Sequence, residues 1–172
     1  MKAQQAQLRT FKPRASGGWL SLMLMGLVIM AFGIAPGLAT GLGSVSAILT
    51  LIVCIPLAFS CLLLALWFPT MRYELKDSEL ILRYGPVLAY RIPLREIHAI
   101  RRRSLSLTIW SCIRFPGVAL FTVPYGDVGN VKMCATAALN RILLIESGSK
   151  KYGITPQDEE EFVTSIQAQM ET

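Results

Sequence analysis

Residues 19–38, WLSLMLMGLVIMAFGIAPGL, and residues 45–68, VSAILTLIVCIPLAFSCLLLALWF, lie in a stretch without one charged side chain, bounded by Arg14 and Arg72. Each run is long enough for a helix to cross the hydrocarbon of a bilayer, which takes about 20 apolar residues. Between them, ATGLGS at 39–44 is a short Gly-bearing turn. The pattern predicts a basic cytoplasmic N-terminus at 1–18, a two-helix transmembrane hairpin at 19–69 and a cytoplasmic domain at 71–172.

Charge sets the expected orientation. The chain carries a formal +6, of which Lys2, Arg9, Lys12 and Arg14 supply +4 with no acid near them, while Arg72 onward holds 13 bases against 11 acids. Bases beside a span stay on the cytoplasmic side, so both termini and the C-terminal domain are expected in the cytoplasm, at a bacterial inner membrane. Trp19 and Trp67 stand near the span ends, where amphipathic rings favour the interface. A cleaved signal peptide is the competing reading of a basic start before an apolar run. The run exceeds an ordinary signal core, and a second span follows it. The basic charge needs no nucleic acid to explain it, because orientation and anionic headgroups account for the N-terminal cluster, and no DNA- or RNA-reading module is visible.

Lipid tails give helices no hydrophobic reason to associate, so close packing relies on small residues. Cys54, Ala58, Cys61 and Ala65 repeat at steps of four and three along the second span, and Gly26, Gly33 and Gly37 share a stripe of the first. These are the expected helix-packing seam. Pro56 removes a backbone donor and is expected to bend the second helix. Neither span carries an ionisable group other than its thiols, which argues against a transporter or pump. Cys112 and Cys134 fall in the cytoplasmic part, where thiols stay reduced, and no pair has CxxC spacing.

From Arg72 the period changes to that of strands. Expected strands cover residues 71–75, 80–84, 87–94, 97–103, 118–123, 131–137, 141–146 and 150–154. The stretch 97–103 either extends the strand before it or starts another. Pro93 marks an edge or bulge, and residues 105–116 form an irregular connection containing Trp110. Gly, Asp and Asn at 125–130 suit a hairpin loop. At the end, Thr155 is the expected helix cap and Pro156 the first helical residue. Asp158 to Glu161 then favour the positive end of the dipole, and Phe162, Val163, Ile166 and Met170 give an apolar face.

Three phrases, YELKDSEL at 73–80, RIPLREI at 91–97 and YGITPQDEEEF at 152–162, resemble the bacterial pleckstrin-homology-like (bacterial PH) domain family. The whole chain is similar to its membrane-tethered type, which has a leading transmembrane hairpin. The resemblance implies an α+β membrane protein: a two-helix hairpin, then an antiparallel β-barrel of about seven strands capped by a C-terminal α-helix.

Little in the soluble part suggests chemistry. His98 is the only histidine, so a His-based triad or multi-His metal site lacks material. No phosphate-binding GxxxxGK[ST] loop occurs, Asp127 and Glu146 have no spacing that joins them, and neither a cofactor nor a metal is expected. Arg101, Arg102 and Arg103 form the strongest surface feature, with Arg95 and Arg114 as potential neighbours. They read equally as a basic patch for anionic lipid or a partner and as a solvated strand end. With only residues 69–71 between hairpin and first strand, the domain is held at the bilayer without lipid affinity. The expectation is a non-enzymatic membrane protein whose PH-like domain serves protein interaction or assembly, with another membrane protein or with copies of itself. Alternatives are an anionic lipid-headgroup sensor using the arginines, and an accessory subunit of a transporter or membrane enzyme.

Overall fold

The computed structural model describes residues 8–41, 43–76, 78–106 and 117–170. They form two compact units: the hairpin over Gly17–Pro69, and a second unit built from the segment before it and everything after it.

In the hairpin, α1 (Gly18–Thr40) and α2 (Val45–Trp67) are long and apolar enough to cross a membrane. Gly41, at φ +86°, ends α1 where a side chain would be strained. Ser44 caps α2 by accepting the Ala47 amide at 3.3 Å. Both helices run through their prolines, Pro36 and Pro56, as continuous elements. Small residues predominate among the buried positions: Gly26, Gly33 and Gly37 with Leu22 on α1, and Ala47, Ala58, Cys61 and Ala65 on α2. A Cβ at Gly33 would lie 2.7 Å from Cys54 Cβ, and one at Gly26 would lie 3.1 Å from the Leu62 side chain. Large apolar side chains such as Leu24, Phe32, Ile52, Phe59 and Leu66 point outward and stay exposed.

Among the described residues the second unit contains two sheets and one α-helix. In the first sheet β1 (Arg9–Phe11), β2 (Arg72–Lys76), β3 (Glu79–Tyr84) and β4 (Leu88–Pro93) lie in chain order, each antiparallel to the next. The second holds β5 (Ile97–Arg103), β6 (Ala119–Tyr125), β7 (Gly129–Ala135), β8 (Ile142–Ser147) and β9 (Lys150–Ile154) in the order β5-β8-β9-β7-β6. Helix α3 (Glu159–Met170) follows.

This corrects the expectation of one closed antiparallel barrel of about seven strands: there are two sheets, of four and five strands, and no closed barrel among the described residues. The break falls at Pro93, which cannot donate to a ladder. The chain makes a 3-10 turn at Leu94–Glu96, and the Leu94 amide returns to Ser78 O at 2.8 Å, so residues 97–103 start a new strand in the other sheet. The pairing is also not wholly antiparallel. The β8–β9 hairpin inserts so that β9 runs parallel to β7, with Met133 opposite Gly153. A Cβ at Gly153 would strike Met133 Sδ, so glycine permits this close approach. Residues 107–116, with Trp110, Cys112 and Arg114, lie outside the described residues.

Strand β1 is an element that the sequence reading placed in a basic tail. Phe11 pairs with Tyr73 across β1 and β2, and its ring meets Phe162 of α3 edge-on at 5.1 Å. Phe162 in turn stands 6.2 Å from the Tyr73 ring. Beneath them Tyr73 OH donates to Cys134 O at 2.7 Å and accepts the Thr155 amide at 3.3 Å. Burial raises the Tyr73 phenol above its ordinary pKa and pushes the Cys134 thiol up to about 12.

The helix start also differs from expectation. Thr155 is fully buried, and its hydroxyl accepts the Thr136 amide at 2.8 Å, satisfying a donor that water cannot reach. Asp158 caps instead, accepting the Glu161 amide at 3.2 Å, and Pro156 lies before the helix in a bridge to Pro13.

Candidate functional site

The three arginines singled out in the sequence end β5, an edge of the five-stranded sheet whose strand neighbour is β8. Ile97 anchors the strand in the core, and a register shift at Ile97/Ala99 leaves His98 exposed. Beyond the shift Arg101 pairs with Leu144, Arg102 with Leu143 and Arg103 with Ile142. Strand alternation puts Arg101 and Arg103 on one face and Arg102 on the other. The structure therefore divides the expected patch.

Arg102 meets the Glu159 carboxylate through its Nη2 and Oε2 atoms. The other oxygen of the same carboxylate takes Arg14 Nη2 at 2.5 Å. Glu159 opens α3 and is only 10% exposed, whereas the Arg102 side chain is 55% exposed. One carboxylate thus serves two guanidiniums. Its position in the first turn of α3 also suits the helix dipole. Arg102, Leu143, Glu159, Glu160, Val163 and Thr164 line a shallow cleft of about 460 Å³ between β5, β8 and α3. Arg101 and Arg103 have no acidic partner among the described residues. Arg95 is exposed in the 3-10 turn ahead of the strand.

The acids at 158–161, expected from sequence at the positive end of the helix dipole, have separate roles. Asp158 caps, Glu159 holds two arginines, and Glu160 and Glu161 are exposed. Asp127 and Glu146 are not a pair: Asp127 accepts the Ser106 amide at 3.2 Å, while Glu146 lies in β8 opposite Ala99 and Lys151.

Arg14 reaches this site because residues 8–16 form an arm on the domain. Besides the β1 ladder, the Arg14 amide donates to Thr155 O at 2.7 Å, Gln157 N to Lys12 O at 2.9 Å, and Arg9 Nη1 to Ser165 Oγ at 3.0 Å. Sequence reasoning missed this arm. Its only trace in the sequence was Thr10-Phe11, a β-branched and an aromatic residue between Arg9 and Lys12, too short to separate from a tail.

Two further clusters lie outside the edge. Glu74 pairs with Arg72 at 2.6 Å and Arg83 at 3.4 Å on the outer face of the first sheet. Lys132 Nζ lies 5.3 Å from the Tyr90 ring centre and 5.7 Å from that of Tyr152. Burial raises both phenols above their ordinary values, with Cys134 a smaller cause for Tyr90 and Glu96 for Tyr152. Of the expected helix seam, Ala58, Cys61 and Ala65 are buried, and Cys54 is half-buried beside Gly33.

Comparisons with curated proteins and with solved structures returned no match. The family model of the bacterial PH domain matches residues 71–170, covering β2 to the end of α3 without the hairpin or the arm. That stretch is more than half of the 172 residues, and the chain belongs to the bacterial PH domain family.

Proposed function

We propose that this chain is a non-enzymatic protein of the bacterial inner membrane, anchored by two spans, with both termini and its PH domain in the cytoplasm. The domain serves protein interaction or assembly, and the β5 edge is the surface that it offers. One observation carries the reading: β1 and β2, the strands before and after the hairpin, pair with each other in register from Arg9↔Leu75 to Phe11↔Tyr73. A chain that leaves one folded unit and returns to it crosses a bilayer an even number of times. The outward-facing leucines and phenylalanines of α1 and α2 support lipid as their surroundings, since that much exposed apolar surface is costly in water. The bases at Arg9, Lys12 and Arg14 support the orientation.

A module tied to its own anchor needs no lipid affinity for recruitment. An edge strand presents unpaired backbone groups that a partner strand satisfies. The headgroup-sensor reading is weaker because Arg102 is engaged by Glu159 rather than standing with Arg101 and Arg103 in one patch. The test uses the full chain in nanodiscs. Association with a co-purified partner or a second copy is expected to survive replacement of anionic by zwitterionic lipid and to fail in an Arg101→Glu/Arg103→Glu variant. Domain placement that follows anionic lipid content and ignores partner protein would overturn the reading. A reporter fused after Thr172 should be active only in the cytoplasm.

A further inference from the structure

The ion-pair node joins two parts of the domain with different connections. Arg102 belongs to the β5 edge, and Arg14 to the arm, four residues before α1 begins. Both depend on the same carboxylate, Glu159, which is nearly buried, while Arg102 remains largely exposed. A carboxylate shared by two guanidiniums holds each less firmly than it would hold one. Anything that draws Arg102 away therefore leaves Glu159 wholly to Arg14.

We propose that Glu159 is a shared counter-ion that couples occupancy of the β5 edge by an acidic protein segment to docking of the residue 8–16 arm. This rests on the interaction reading above and adds the chemistry of the partner and its regulation. The partner is acidic because both faces of the strand end carry exposed guanidiniums: Arg101 and Arg103 on one, without an acidic partner among the described residues, and Arg102 on the other. It is extended because β5 offers seven residues of edge backbone. A carboxylate of the incoming segment replaces Glu159 at Arg102. Glu159 then binds Arg14 alone, and the arm is held more tightly against β2 and α3. Linkage makes the effect reciprocal: an arm without its arginine leaves Glu159 to Arg102, which then gives up its counter-ion less readily.

The experiment measures binding of a synthetic peptide repeating Glu-Glu-Val-Val, which as a strand carries carboxylates on both faces, with its Gln-Gln-Val-Val counterpart as control, to the full chain in zwitterionic nanodiscs. Glu159→Gln frees Arg102 and is expected to tighten peptide binding about fivefold, while Arg14→Ala weakens it by a similar factor. Glu160→Gln removes the same charge one residue away, without an ion pair, and should change binding much less. Hydrogen exchange at the Arg14 amide should slow when peptide binds.

Binding that requires Arg102 but ignores Glu159→Gln and Arg14→Ala would overturn the coupling and leave the interaction reading standing. Equal effects of Glu159→Gln and Glu160→Gln would overturn it too, since net charge alone would explain both. Peptide binding that is absent, or indifferent to Arg101→Glu/Arg103→Glu, would overturn the acidic partner and the β5 surface together. Arg102-dependent protection of the edge by anionic lipid without peptide would replace the protein partner with a lipid one.

Discussion

Replacing Phe11 by alanine tests whether the arm is part of the fold. Phe11 is 8% exposed, and its ring stands edge-on to Phe162, which is fully buried and packed in turn on Tyr73. Phe-to-Ala changes in a core destabilise by about 3–5 kcal/mol. Because β1 is an edge strand of three residues, the low end applies. Of roughly 3 kcal/mol, the aromatic pair accounts for about 1. In a unit of this size the loss lowers the melting temperature by about 10 °C or more. The assay is thermal unfolding of the full chain in detergent, followed in the aromatic region, with hydrogen exchange alongside. The amides of Arg14 and Gln157, bonded to Thr155 O and Lys12 O, should lose protection first because both bonds bridge the arm and the α3 approach. A midpoint within about 2 °C of wild type, with both amides still protected, would refute the arm as a structural element.

Gly33→Val should force the hairpin helices apart, since a lone Cβ there already lies 2.7 Å from Cys54 Cβ. Overpacking of this kind costs about 1–3 kcal/mol, and an unchanged unfolding temperature in micelles would mean that the two helices do not meet there. Gly153→Ala pushes against Met133, fully buried on the neighbouring parallel strand, and should lose about 1–3 kcal/mol in denaturant unfolding. Stability should also fall in alkali: Cys134 is held at about 12 in the fold against an ordinary 9.0, so the unfolded chain releases its proton first. Between those values the unfolded state binds fewer protons and gains about 1.4 kcal/mol per pH unit, whereas below pH 9 this term is flat. Cys134→Ala should remove the decline near pH 9 to 10, before the tyrosines contribute, and an unaltered profile would contradict the burial.

The hairpin was legible because its signal is composition, and composition survives whatever the helices pack against. Most strands were legible for a similar reason: Leu80, Leu82 and Tyr84 alternate along one face, Ile142 to Ile145 form a short apolar run, and turn residues report where each stops. Pairing was not legible. The sequence of β9 says that Gly153 is small, but not that Met133 lies opposite it on a parallel neighbour. Nor does Pro93 say whether the chain bends within one sheet or passes to another. The same limit affected the candidate site. Three consecutive arginines look like one patch in a string, yet a strand sends alternate side chains to opposite faces. Arg102 then found Glu159, an acid more than fifty positions away whose neighbours had suggested only the start of a helix. Thr155 was misassigned because a hydroxyl before four acids looks like a cap, and nothing local revealed the buried Thr136 amide that claims it.

The family match and the folded unit do not share a boundary, and the difference has a physical consequence. Residues 71–170 carry the family signature, but β2 has β1 on one side and β3 on the other. A fragment starting at Met71 would expose the β2 edge and strip Phe11 from Phe162 and Tyr73. It would also leave Glu159 with Arg102 as its only ion-pair partner among the described residues. A bare strand edge offers its unpaired backbone groups to any extended chain. Self-association or peptide capture by such a fragment would therefore report the edge made by cutting, not β5. The two are separable in the full chain, where β1 covers β2: association through β5 responds to Arg101 and Arg103, while association through β2 appears only once Phe11 is removed.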